Sequence, residues 1–210
     1  MRPIVYPETI ELIVREYEAT DAVRAAEVDW WLAEGLPFSV VIERVGRADL
    51  FGKRHPHQRR LSTSALEAGT AALHAISDKL KNAPDFYELW KLVQSAYRPI
   101  YGLGELAVYD VAERLRYRLR LESAHLIYLH AGARVGARRL AGGRLKRESA
   151  WGILRHEVPA GVRHLCTHEI EDILCIYKDE LLLTPQDFRA RRTGRPVPSC
   201  GSKSETRSIC

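Results

Sequence analysis

The chain has 210 residues, with 32 Lys and Arg against 27 Asp and Glu, 46% apolar residues and four cysteines. At roughly 100–200 residues per domain, that length predicts one domain, or two small lobes sharing a core. No apolar run approaches the roughly 18 residues that a membrane-crossing helix needs, so no membrane partner is expected. The first residues lack the basic-then-apolar layout of a secretory signal, and the expected location is cytoplasmic. Cysteines at 166, 175, 200 and 210 form neither a metal knuckle nor a dense disulfide framework, so free thiols are expected.

Apolar spacing predicts an all-α fold. Ile10, Ile13, Val14 and Tyr17 fall at i, i+3, i+4 and i+7, one stripe of a helix that starts near Pro7 and Glu8. Asp21 is placed to cap a second helix running through Trp30 and Trp31 to about Gly35. Residues 38–45 suit a third, ahead of a basic loop. Ser64 to Glu67 reads as a capping box, with helix continuing to about Lys81. Asp85 opens another helix with Phe86, Leu89, Trp90, Val93 and Tyr97 on one face, stopping at Pro99. Val108, Val111, Ala112, Leu115 and Leu119 form the next stripe. Thr167 precedes Ile170, Ile173, Leu174 and Tyr177, with Glu169, Glu171 and Asp172 well placed near that helix's N-terminus. No segment alternates with period two. Residues 1–183 therefore read as a helical domain and 184–210 as a flexible basic tail, poor in large apolar side chains.

Charge is distributed unevenly. Residues 1–50 hold 5 basic and 10 acidic side chains, whereas 51–60 hold four cations and no acid. Residues 113–165 hold 12 Lys and Arg against 4 Glu. Clustered cations raise the local potential and release counterions from phosphates, so these stretches suit a polyanion. An Arg-rich solvated helix would give the same count.

The most informative segment lies at about 85–121. An amphipathic helix ends at Tyr97, Gly102-Leu103-Gly104 follows, and a second amphipathic helix starts at once. Glycine permits the positive φ of a tight reversal and lets backbone N–H groups approach a phosphate. Those groups would sit at a helix N-terminus, where the dipole favours an anion. Leu103 would point back and pin the turn to its helices. An ordinary turn between helices would carry the same glycines.

This segment resembles a helix-hairpin-helix motif. With Leu126–Gly142 it resembles the helix-hairpin-helix DNA glycosylases of the endonuclease III-like group, in which a histidine, an Arg-Val pair and an Arg-Leu pair follow the hairpin. Here His130, Arg134-Val135 and Arg139-Leu140 match that order, with small insertions. The resemblance covers about residues 85–142. It implies a two-lobed helical protein that grips DNA, flips a nucleotide and cleaves its N-glycosidic bond, without a cofactor. Gly102, Leu103, Gly104, Arg134, Arg138 and Arg139 are its expected DNA contacts, joined from the basic loop by Lys53 and Arg54.

Several positions depart from that pattern. Leu106 stands where bifunctional members carry lysine, Tyr128 where the family places its catalytic aspartate, and Glu105 where a neutral or basic residue is usual. The iron–sulfur cysteines of some members are absent. Positive charge develops on the sugar as the base leaves, so some carboxylate must stabilise it or activate water. Asp110 is the first candidate, four residues after Leu106 on the same helical face, and Glu122 is the second. His130 would orient the acid or the water, and Tyr109 or Tyr128 would stack on a flipped base. An Asp110–Arg114 pair, a His130 hydrogen-bonded to a backbone carbonyl and two core tyrosines are the plainer alternatives. The expected activity is monofunctional, leaving an abasic site during repair or in defence against phage DNA with modified bases. Two other readings remain: a non-catalytic helix-hairpin-helix DNA-binding module, and a metal-dependent nuclease using His164 and His168.

Overall fold

A computed structural model describes residues 3–32, 35–121, 126–142 and 152–194. In chain order it contains α1 (Pro7–Glu18), α2 (Asp21–Leu32), α3 (Phe38–Gly46), β1 (Asp49–Leu50), β2 (Lys53–Arg54), α4 (Thr63–Ala75), α5 (Ser77–Lys81) and α6 (Phe86–Tyr97). There follow α7 (Glu105–Leu119), β3 (Leu126–Tyr128), α8 (Ala131–Leu140), β4 (Gly152–Leu154), α9 (Thr167–Ile176) and α10 (Pro185–Arg192). The described structure is mostly helical, as the apolar spacing predicts. Two short antiparallel pairs are additions: β1 with β2, and β3 with β4. Strands of two or three residues are too short to display an alternating pattern. Among the described residues, no helix is long and apolar enough to cross a membrane.

The chain divides into two compact units, one of residues 1–21 and 124–210, the other of 22–123. In the first unit, Ile10, Ile13, Val14 and Tyr17 of α1 are buried with Ile127, Ala133, Ala137, Ile170, Ile173 and Leu174. Small residues let α8 lie very close to α9. A Cβ built on Gly136 would sit 2.1 Å from the Leu174 carbonyl oxygen, and one on Gly132 would sit 2.5 Å from Cys175 Sγ. α9 starts at Thr167, with Cys166 at its N-cap and the Glu169 carboxylate accepting from the Cys166 N–H at 2.7 Å.

Part of the tail expected from residue 184 is ordered. Residues 185–192 form α10, whose N-cap Thr184 accepts from the Asp187 N–H. Phe188 is buried in the first unit's core, and Arg189, Arg191 and Arg192 pair with Glu8, Glu180 and Glu16. One aromatic anchor and three opposite charges order a segment that its composition alone would leave loose. Residues 195–210 lie outside the described residues.

In the second unit, α3, α4, α6 and α7 pack through Val41, Ile42, Val45, Leu66, Leu73, Leu89, Val93, Val111 and Leu115. The N-cap of α4 is Ser62 rather than Ser64, its hydroxyl accepting from the Ala65 N–H at 3.1 Å. The helix also breaks at Ile76 before α5 resumes at Ser77. Asp85 caps α6 as predicted, accepting from the Glu88 N–H at 2.9 Å.

Candidate nucleic-acid interface

α6 and α7 are joined by a turn whose parts divide the work. Gly102 has φ of +95°, a conformation open to glycine and strained for other residues. Leu103 is buried, its Cδ1 2.8 Å from where a Cβ on Gly69 of α4 would lie, with the Tyr97 ring beside it. The leucine thus locks the turn down, although it reaches α4 as well as its own helices. Gly104 is the N-cap of α7 and has no side-chain cap. A Cβ there would meet nothing within 4 Å, and the exposed Glu105 follows as the first residue of the helix. Tyr101 beside it is wholly exposed.

The arginines of α7 are mostly turned inward. Arg114 is buried, with Gln58 accepting from Nη1 at 3.1 Å, Asp110 at 3.5 Å and the Trp31 ring at 5.0 Å. Burial pushes its pKa down, and Asp110 opposes that shift. Arg116 pairs with Glu113 at 2.6 Å, and Arg118 donates to the Leu36 carbonyl at 3.3 Å. The basic count of this stretch therefore overstates the charge α7 offers to a phosphate.

The basic loop has an inner and an outer side. Inward, His55 lies 3.6 Å from Glu27, and Gln58 holds Arg114. Outward stand Phe51, Lys53, Arg54, Arg59 and Arg60, all exposed. Arg54 is partly spent, donating to the Leu61 carbonyl at 2.9 Å and to Thr63 Oγ1 at 3.0 Å.

Of the expected catalytic residues, Asp110 belongs to the second unit and His130 to the first. Asp110 is 7% exposed and takes the plainer alternative, pairing with Arg114 on its own helix. His130 sits at the N-cap of α8: Nδ1 lies 3.1 Å from Gly132 N, while Nε2 lies 2.7 Å from Glu171 Oε1. Both ring nitrogens are thus engaged within the first unit. Burial disfavours charge on this imidazole, but the Glu171 carboxylate overrides it and the pKa is pushed up to about 12. Glu122 lies outside the described residues.

The expected stacking residues are also largely enclosed. Tyr109 is 8% exposed and meets the Phe86 ring nearly edge-on at 6.4 Å. Tyr128 is 7% exposed, in β3 opposite Gly152. On α8, Arg138 is exposed and Arg134 half-buried, whereas Arg139 is tied to Asp179 and the Lys178 carbonyl. His164 lies 4.0 Å from Glu18. Among the described residues, no group of three His, Cys, Asp or Glu side chains is placed to hold a metal ion. Glu171 and Cys175, the partners of His130, lie 41 and 45 positions further along the chain, too far for sequence spacing to pair them with it; their own i, i+4 spacing is the signal the sequence carries. No family model, curated protein or solved structure matches the chain.

Proposed function

We propose that the protein binds DNA through the Gly102-Leu103-Gly104 turn, in the manner of a helix-hairpin-helix motif. The activity built on this grip is excision of a damaged or modified base by hydrolysis of its N-glycosidic bond. The observation that supports the grip is the uncapped Gly104 at the N-terminus of α7, with open space where a Cβ would lie, beside an anchored leucine; the Glu105 carboxylate in the first turn has to point away from the phosphate. Backbone N–H groups there meet a phosphate oxygen at the positive end of a helix dipole. Asp110 is the carboxylate that would stabilise charge on the sugar or activate water. With Leu106 in the lysine position, the enzyme leaves an abasic site and forms no Schiff base.

A second reading, a non-catalytic DNA-binding module, is favoured by one observation. Asp110 and His130 each hold a buried charged partner of their own. One experiment separates the two. Purified protein is incubated without added metal with a panel of modified duplexes, including phage genomic DNA with modified bases, and abasic sites and released bases are measured. Release of one base, lost in Asp110→Asn while DNA affinity is kept, supports excision. Tight binding without release across the panel leaves the module reading.

A further inference from the structure

We infer that the β1–β2 hairpin is a second DNA contact, in which the Phe51 ring stacks on a base while Lys53, Arg59 and Arg60 hold the flanking phosphates. This rests on the DNA-binding reading above and assigns the base contact to a residue outside the resemblance. Phe51 and Gly52 form the tip between the paired residues Leu50 and Lys53, with φ of +52° and +76°. Two positive φ values are what a tight two-residue hairpin turn demands, and asparagine or glycine normally supplies the first. A phenylalanine held in that region is strained, and its ring is 52% exposed.

The hairpin beneath that ring is braced. Trp30 Nε1 donates to the Asp49 carbonyl at 3.1 Å, the Trp30 and Phe51 ring centroids lie 5.2 Å apart, and the Arg44 guanidinium covers Trp30 at 4.1 Å. Further along, the His55 N–H donates to the Ala48 carbonyl at 2.7 Å, and buried His55 and Gln58 hold the underside of the loop. The aromatic tip is therefore a fixed platform. Its cationic surroundings match a phosphate backbone: Lys53, Arg59 and Arg60 are exposed, and among the described residues none of the three forms an ion pair. An apolar protein partner would not call for that ring of charge. Every base presents a π-face, so such a platform binds with little sequence preference.

The test uses the full chain, a fluorescein-labelled duplex and a second duplex carrying 2-aminopurine, each titrated over a salt series. Phe51→Gly relieves the positive φ while removing the ring, so its thermal midpoint should stay near wild type. Its DNA affinity should fall roughly tenfold, as expected for one lost base stack, and its 2-aminopurine signal should vanish. Phe51→Trp should retain both. Lys53→Ala and Arg59→Ala should instead each reduce the salt slope by about one. Wild-type binding that Phe51→Gly leaves unchanged, with the 2-aminopurine signal intact, overturns this inference and spares the DNA-binding reading. Failure of the wild-type chain to bind any duplex or single strand overturns both.

Discussion

His130 Nε2 lies 2.7 Å from Glu171 Oε1, with both side chains almost fully buried, 3% and 2% exposed. The ring sits at the N-cap of α8, and Glu171 comes from the second turn of α9, so the pair ties together the two most closely packed helices of its unit. With the imidazole charged, both ring nitrogens carry hydrogen, and the one on Nε2 faces the carboxylate.

That arrangement fixes a pH dependence. The folded pKa of His130 is raised above the unfolded value of about 6.5. Its stabilising contribution is therefore complete below about pH 6.5 and is lost as pH rises toward the folded pKa. In Glu171→Gln the main raising charge is gone while burial and Cys175 remain, so the pKa should drop toward the unfolded value and the pH dependence should flatten. Urea midpoints across pH 6–9 should fall with pH more steeply for wild type than for the variant. Parallel curves would show that the carboxylate does not control this imidazole.

Gly136 is predicted to be intolerant of any side chain. A methyl group there meets the Leu174 backbone oxygen, which has no rotamer through which to retreat. Gly136→Ala should cost at least the 1–3 kcal/mol typical of overpacking, and thermal melting should fall by several degrees. Gly104→Ala, in open space, serves as the control with near-normal stability. A normal midpoint for Gly136→Ala would mean that α8 and α9 lie further apart.

Much of this framework is legible in the chain. The α1 stripe, the Asp85 cap and the inward Leu103 follow from side-chain spacing and from the chemistry of single residues. The partners of Arg114 and His130 do not, because Gln58 and Glu171 are brought to them by tertiary packing over long separations. The charge count misleads for a related reason: arginines 114, 116 and 118 look alike in sequence, yet each is committed to a different internal acceptor. Ordering of 185–192 was hidden likewise, since the acids that pair with its arginines lie mostly at the other end of the chain.

Phe188 should prove the main anchor of α10. Phe188→Ala removes a buried ring and should cost about 3 kcal/mol, with the following residues becoming open to limited proteolysis. Glu8→Gln breaks a pair more than half exposed on both sides and should change stability little. Equal, small effects from both variants would show that α10 contributes little to the first unit's core.

Asp110 carries a structural load whatever its chemical role. Removing the carboxylate in Asp110→Ala leaves the buried Arg114 guanidinium short of its counter-charge, at a cost of about 3–5 kcal/mol. Asp110→Asn, which keeps the shape, should be milder and is the variant suited to excision assays. An Asp110→Ala protein as stable as wild type would mean that the pair is open to solvent.

The DNA grip at Gly104 is tested most directly by comparing wild type with Gly104→Asp in salt-dependent duplex binding by fluorescence anisotropy. Aspartate is a favoured N-cap residue, so the variant should fold at least as stably, yet its carboxylate occupies the place of the phosphate. Wild type is predicted to bind duplex DNA with affinity falling steeply as salt rises, and Gly104→Asp to bind at least tenfold more weakly at low salt. Equal binding by the two proteins would contradict the account.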